Sequence, residues 1–383
     1  MAKLDCYSRK TKERVTALED EFNPWDRARV SIRVFRDCPD MPTVTQFAAV
    51  IAGTLEELDT PVMDEALIQG YCFRDVPVHE GVSASSLWKL QCAFPELSNN
   101  LRRFFDSALV PEDFRREFRY WREHPRSPMG DPTLREKHSL LLSEEIVKPG
   151  GGGAFGHTLP DHGILMESGI DALLAQIGEK LCADITESQR AVYLSMQTCL
   201  EALSCYISRY AAALEKAAAA QTDPELQKRL DAQGSNMRVI AHKRPETFWQ
   251  ALQLLYFSHF MDQLDNKGDA ASYGRADQIL YPFYKADLDA GRLDRETGFM
   301  YLLHFALKNW KPQSSCNITV GGQTADGKDA VNDVSMMFIE AMDAMSLAID
   351  LTVRYHKNTS EEFFKAAARL ARRGFGRPSF YSY

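Results

Sequence analysis

Apolar residues recur every three to four positions through most of this chain, a spacing that predicts a helix-rich protein. Val44, Phe47, Ala48, Ile51, Leu55 and Leu58 make one stripe, and Val15 with Leu18 makes a weaker one among the charges of 9–20. Residues 170–180 and 187–220 predict two more long helices, the second ending in alanine-rich turns beside Thr222-Asp223-Pro224. Residues 355–373 contain another, for which Asn358-Thr359-Ser360-Glu361-Glu362 offers an N-cap and acids in the first turn. The richest apolar stretch, 248–261, is too short to span a bilayer and is interrupted by Gln250, Gln253, Ser258 and His259.

Two segments have a different period. Asn317-Ile318-Thr319-Val320 alternates polar with β-branched residues before Gly321-Gly322, and Leu351-Thr352-Val353-Arg354-Tyr355 is a second short β-run. Short strands among many helices imply an α/β architecture in which strands line a core and helices surround it. Pro24, Pro39, Pro42 and Pro61 punctuate the first segment, and the Pro-, Ser- and Gly-rich stretch 124–131 predicts a surface loop. No repeat of fixed period and no low-complexity linker divides the chain, so 1–383 is expected to form one unit.

Composition narrows the classes. The 383 residues are 45% hydrophobic, enough for a core without staples, and the net charge of -8 with no basic stripe argues against nucleic-acid binding. The eight cysteines show no CxxC spacing, and the first residues lack a signal-peptide pattern, so a reduced, cytoplasmic protein away from membranes is expected.

Four places combine turn-forming residues with reactive side chains. The first is Lys148 to His162, where four glycines, Gly150 to Gly153, precede His157 and Asp161. Such a run lets something approach the backbone closely, and His157 and Asp161 can grip a hydroxyl and trade protons; the same composition fits a flexible surface loop. The second, Asp265 to Gln278, packs small, acidic and hydroxyl residues before Tyr281-Pro282-Phe283-Tyr284, as a ligand-facing turn or a plain helix connection would. The others are Gln313 to Asn317 and Gly374 to Tyr381. Cys316 fits a small buried residue better than a nucleophile, His259 a core histidine, and no HExxH or Cys/His cluster marks a metal site. The glycine run is not a phosphate loop, because no GK[ST] follows.

Taken in order, these segments resemble the glycyl radical enzyme (pyruvate formate-lyase-like) family, in its dehydratase and lyase branch. Gly156-His157-Thr158 with Asp161 is similar to the family's GH-x-x-x-D loop, and Arg244-Pro245-Glu246-Thr247-Phe248-Trp249-Gln250-Ala251-Leu252-Gln253 to its KPET-x-x-QA-x-Q helix, with arginine for lysine. Gly274 to Tyr284, Asn317 to Gly322, Arg354 to Thr359 and Gly376 to Phe380 follow in the family's order. The resemblance implies the N-terminal part of a ten-stranded α/β barrel built from two five-stranded half-barrels and surrounded by helices. It implies hydrogen abstraction from a small polar substrate by a cysteine thiyl radical, itself generated by a glycyl radical. No cofactor is bound; a separate iron-sulfur activating enzyme using S-adenosylmethionine installs the radical, and homodimers are usual.

The resemblance also implies that His157 faces the substrate hydroxyl, that Asp269 and Ser272 are polar substrate contacts, and that Ser314 and Ser315 reshape the pocket where relatives carry larger or acidic residues. Arg275 and Asp277 are expected to form a structural ion pair. The family's Gly-Cys-Val-Glu loop and Arg-Val-x-Gly radical loop have no match here, so 1–383 is expected to be a pyruvate formate-lyase-like domain incomplete at its C-terminus, without a glycyl radical domain. It would hold part of a substrate pocket and be inactive alone; the alternative is a non-catalytic fragment or scaffold that pairs with a partner chain.

Overall fold

A computed structural model of the chain describes residues 10, 13, 25–71, 77–79, 82–83, 158–265, 271–309, 316–346 and 349–382. Helices α1 (Trp25–Asp37) and α2 (Thr43–Glu57) come first, then a small antiparallel pair, β1 (Pro77–His79) and β2 (Val82–Ser83). Next come α3 (His162–Ser168), α4 (Ile170–Leu181), α5 (Glu187–Ala220), α6 (Pro224–Ile240) and α7 (Phe248–Asp265). The last part alternates: β3 (Ser272–Gly274), α8 (Ala276–Asp289), α9 (Arg295–Asn309), β4 (Asn317–Gly321), α10 (Asp333–Met345), β5 (Leu351–Tyr355), α11 (Glu361–Ala371) and β6 (Ser379–Ser382). The expected helix over 9–20 and the loop over 124–131 lie outside the described residues.

Local chemistry explains the boundaries. Thr186 and Gln189 form a reciprocal capping box at the start of α5, Asp223 accepts the N–H groups of Glu225 and Leu226 ahead of Pro224 in α6, and Ser360 caps α11. Leu203, Tyr206, Ile207, Tyr210 and Leu214 bury one stripe of α5, which packs against α2 and α6. Tyr206 meets Tyr210 edge-on at 5.2 Å and stacks near Phe260 of α7 at 6.1 Å.

Helix α7 is apolar on all sides because it is surrounded on all sides: α2, α3, α5, α6, α8 and α9 all contact it, and Phe248, Leu252, Leu255 and Phe257 are fully buried. The polar residues that interrupt it have partners. Gln253 exchanges hydrogen bonds with the backbone of Gln69 (2.8 and 3.1 Å), and Gln250 donates to Asn236 Oδ1 at 3.0 Å. Among the described residues no helix is long and apolar enough to cross a membrane.

Strands β3, β4, β5 and β6 form one parallel sheet in chain order, each step crossing over through helices. Ile318 and Val320, and Leu351 and Val353, point into the helical side and are fully or almost fully buried. The opposite face carries Ser272, Asn317, Thr319, Thr352, Arg354, Ser379 and Tyr381, all partly or well exposed.

Two expectations change at this level. Residues 265–278 are not simply a connection, since β3 forms inside them, and Tyr281 to Tyr284 belong to α8, where Tyr284 packs edge-on against Phe248 at 5.3 Å. Arg275 and Asp277 do not pair with each other. Arg275 donates to the carbonyls of Gly321 and Gln323, both at 2.8 Å, while buried Asp277 accepts from Gly321 N (2.7 Å) and Ser335 Oγ (2.5 Å). The C-terminal end of β4 has free carbonyl and amide groups within reach, and a fixed backbone dipole satisfies each charge where the side chains diverge.

Candidate functional site

The site begins where the chain returns to the sheet. Thr158 forms a parallel bridge with Ala271, and its carbonyl accepts the N–H of Ser272 at 2.9 Å. Ser272 is in turn the register partner of Asn317. The Thr158 hydroxyl donates to the carboxylate of Asp262 on α7, 3.0 Å and 3.1 Å from its two oxygens. Three segments far apart in sequence are thereby joined at the start of β3 and β4.

Beneath this junction, His162 is 1% exposed. Its Nδ1 shares a 2.9 Å hydrogen bond with Ser258 Oγ, and its ring lies 5.9 Å from Tyr273 and 6.1 Å from His259. Tyr273 stacks on His259 at 3.7 Å and donates its hydroxyl to Asn309 Oδ1 at 2.6 Å. Burial pushes the His162 imidazole down to about 4, against the opposing pull of the Ser272 backbone and the Asp161 carboxylate. The ring is therefore neutral at physiological pH. Its Nε2 is buried and makes no hydrogen bond among the described residues.

Of the candidates read from the sequence, Asp161 and Ser272 are described; His157, Asp269, Ser314 and Ser315 lie outside the described residues. Asp161 is exposed and caps α3 by accepting Gly163 N at 3.1 Å. Ser272 stands on the open face of the sheet. The described residues nearest in sequence to the other four are Thr158, Ala271 and Cys316; Thr158 bridges Ala271, and Cys316 directly precedes Asn317, the register partner of Ser272. Cys316 is buried and accepts a hydrogen bond from Gln263 Nε2 at 2.8 Å, as a packed thiol does, and His259 is buried against Tyr273.

Asp262 was missed in the sequence. The signal was available: Ser258, His259 and Asp262 fall about one turn apart in a largely apolar helix and mark a polar notch on α7. On the open face itself the polar groups are organised. Asn317 donates to Thr352 Oγ1 at 2.8 Å and accepts from Thr319 Oγ1 at 3.0 Å. A cavity of about 1290 Å³ opens elsewhere, between α8, α10 and α11, and none of the sequence candidates lines it.

A parallel sheet with helical crossovers, packed on one face and polar and open on the other, defines an α/β protein with a wall on which a small polar ligand could rest. Comparison supplies the particular family: residues 4–383 match the pyruvate formate lyase-like family, and the chain belongs to it, among the glycyl radical enzymes. It is 28% identical over 417 residues to the probable dehydratase YbiW of Escherichia coli (strain K12), an alignment covering 99% of this chain and 50% of that protein. It is 31% identical over 249 residues to the (2S)-3-sulfopropanediol dehydratase of Klebsiella oxytoca, covering 59% of this chain and 30% of the relative. The glycerol-bound B12-independent glycerol dehydratase from Clostridium butyricum shares its fold, with a TM-score of 0.77 at 21% identity over 100% of this chain and 51% of that one. The chain spans about half the length of these dehydratases or less.

Proposed function

We propose that this chain builds the substrate-facing part of a glycyl radical dehydratase or lyase acting on a small polar substrate, in the cytoplasm of a cell living anaerobically. The observation that carries this is the placement of Ser272 on the open polar face, tied to Thr158, the residue after His157. In this reading the parallel sheet is one side of a ten-stranded barrel. His157 donates a proton to the departing hydroxyl, Asp161, Asp269 and Ser272 hold the substrate's polar groups, and Ser314 and Ser315 shape the pocket. Asp262 positions Thr158 and so the approach of that segment to β3.

The radical chemistry is hydrogen abstraction by a thiyl radical, regenerated through a glycyl radical that a separate S-adenosylmethionine-dependent activating enzyme installs; no cofactor is held by this chain. The whole protein acts as a homodimer. The 383 residues assayed by themselves turn over no substrate.

The test is anaerobic incubation with an activating enzyme and S-adenosylmethionine, of the chain alone and of the chain joined to sequence bearing a cysteine loop and a radical glycine. The readouts are the glycyl doublet in electron paramagnetic resonance and consumption of small diols and hydroxy acids. A doublet or turnover from the chain alone refutes its inactivity. No turnover from the joined protein, with a doublet present, favours a scaffold that pairs with another chain.

A further inference from the structure

We propose that Leu159 is a specificity-determining residue of this site: its isobutyl group meets the carbon atoms of a ligand whose hydroxyl rests on Ser272, and it selects an alkyl end over a hydroxylated one. This rests on the reading above that the open face is the substrate wall, and it adds the residue that decides which end of a ligand lies beside Ser272.

Local chain geometry fixes where Leu159 stands. Thr158 bridges Ala271 in parallel and turns its hydroxyl to Asp262 on α7, the packed side of the junction. In an extended segment the next side chain points the other way, and Pro160 keeps Leu159 extended because the residue before a proline is pushed out of the helical region. Continuing the bridge by one residue sets Leu159 opposite Ser272, one strand spacing (~5 Å) away on the open face. The contact with β3 agrees with this. A Cβ built on Gly274, two residues beyond Ser272, would stand 2.8 Å from Leu159 Cδ1, so the isobutyl group lies over the place where β3 carries no side chain.

Among the described residues Leu159 is the most exposed of the large apolar side chains, at 64%. It stands at the edge of a polar face: Ser272 is beside it, and Asn317 on the next strand is hydrogen-bonded to Thr319 and Thr352. A leucine in that position gains when C–H surface covers it, because apolar area then leaves water on both sides of the contact. A ligand hydroxyl in the same place gives up its water and finds no partner on the isobutyl group. Ser272 and Leu159 therefore read two adjoining features of one ligand, a hydroxyl and an alkyl carbon next to it.

The test measures binding to the 383-residue chain by saturation-transfer NMR with two probes that differ by one terminal hydroxyl, butane-1,2-diol and butane-1,2,4-triol. The expected result is a preference for the diol that falls about 3- to 10-fold in Leu159→Ala, is kept in Leu159→Met and turns toward the triol in Leu159→Asn. Because Leu159 is exposed, these substitutions leave the core in place. In a chain carrying 13C-methyl leucine, the signals lost in Leu159→Ala belong to Leu159, and they are expected to shift on titration with the diol. Equal affinities for the two probes, a diol preference unchanged in Leu159→Ala, or Leu159 methyl signals that stay in place while the diol binds overturns the inference. If probe binding still falls in Ser272→Ala, the dehydratase or lyase reading stands without it. Binding of neither probe, or binding untouched by Ser272→Ala, defeats both.

Discussion

His162 and Asp277 are two ionisable groups with opposite energetic roles. His162 is neutral in the fold down to about pH 4, whereas an imidazole in the unfolded chain takes up a proton near 6.5. Because its folded pKa lies below the unfolded one, its neutral burial costs nothing above pH 7. Stability is lost as the pH falls from about 6.5 toward 4, by up to about 3 kcal/mol. Thermal melts from pH 7.5 to 4.5 are expected to show a smaller fall in Tm for His162→Gln than for the wild type; equal falls would rule out the depressed titration. Asp277 instead organises its surroundings, because burial raises its carboxyl while Ser335 and the Gly321 amide counter that rise. Asp277→Ala leaves both donors buried without an acceptor, and denaturant unfolding is expected to show a loss of about 2–4 kcal/mol. Loss of less than about 0.5 kcal/mol would mean that water replaces the carboxylate.

At the scale of elements, the end of β4 is the point most sensitive to substitution. Gly321 has φ +75°, and a Cβ there would stand 2.8 Å from the Arg354 carbonyl and 3.0 Å from the Phe363 ring. Gly327, in the following turn, has φ +80° with nothing within 4 Å of such a Cβ. Both alanine variants meet the left-handed strain of about 1 kcal/mol, but Gly321→Ala adds an overlap with backbone, for a total of about 2–4 kcal/mol. Chemical denaturation of the two variants side by side checks this, and equal losses would show that β4 and β5 part without cost. Much of this scale was legible in advance. The helix over 187–220, the strand at 351–355 and the Ser360 cap were all visible because period and capping are properties of neighbouring residues. Strand β3 was hidden because three residues carry no readable alternation; its pairing with β4 makes it a strand.

For the whole molecule, the central feature is a parallel sheet whose helical side is packed and whose other side is polar. Thr158→Val removes the hydroxyl that joins the start of β3 to α7 and leaves Asp262 without that donor. On the function proposed above, the variant in the chain joined to a cysteine loop and a radical glycine is expected to lower kcat about 10-fold or more with little change in Tm, since the β3 segment is displaced without opening the core. A parallel fall in Tm and activity would make the contact purely structural. The Thr158 junction illustrates what sequence could not supply: nothing local announces that Thr158, Asp262, Ser272 and Asn317 meet.

The sequence by itself determined the class of fold, the limits of α2, α4 and α5, two of the four parallel strands among the described residues and, through ordered motifs spread over the chain, the family. Those features depend on periodicity and on segments whose side chains keep their order in any conformation. Only the tertiary structure decided that Arg275 and Asp277 serve the backbone of β4 instead of each other, that His162 is held neutral, that Asp262 anchors Thr158, and that Arg354 shares an open face with Ser272. Each of these depends on which backbone groups and side chains are close in space and on how far burial removes them from water. Those distances are set by sheet register and helix packing, which exist only once remote segments have come together.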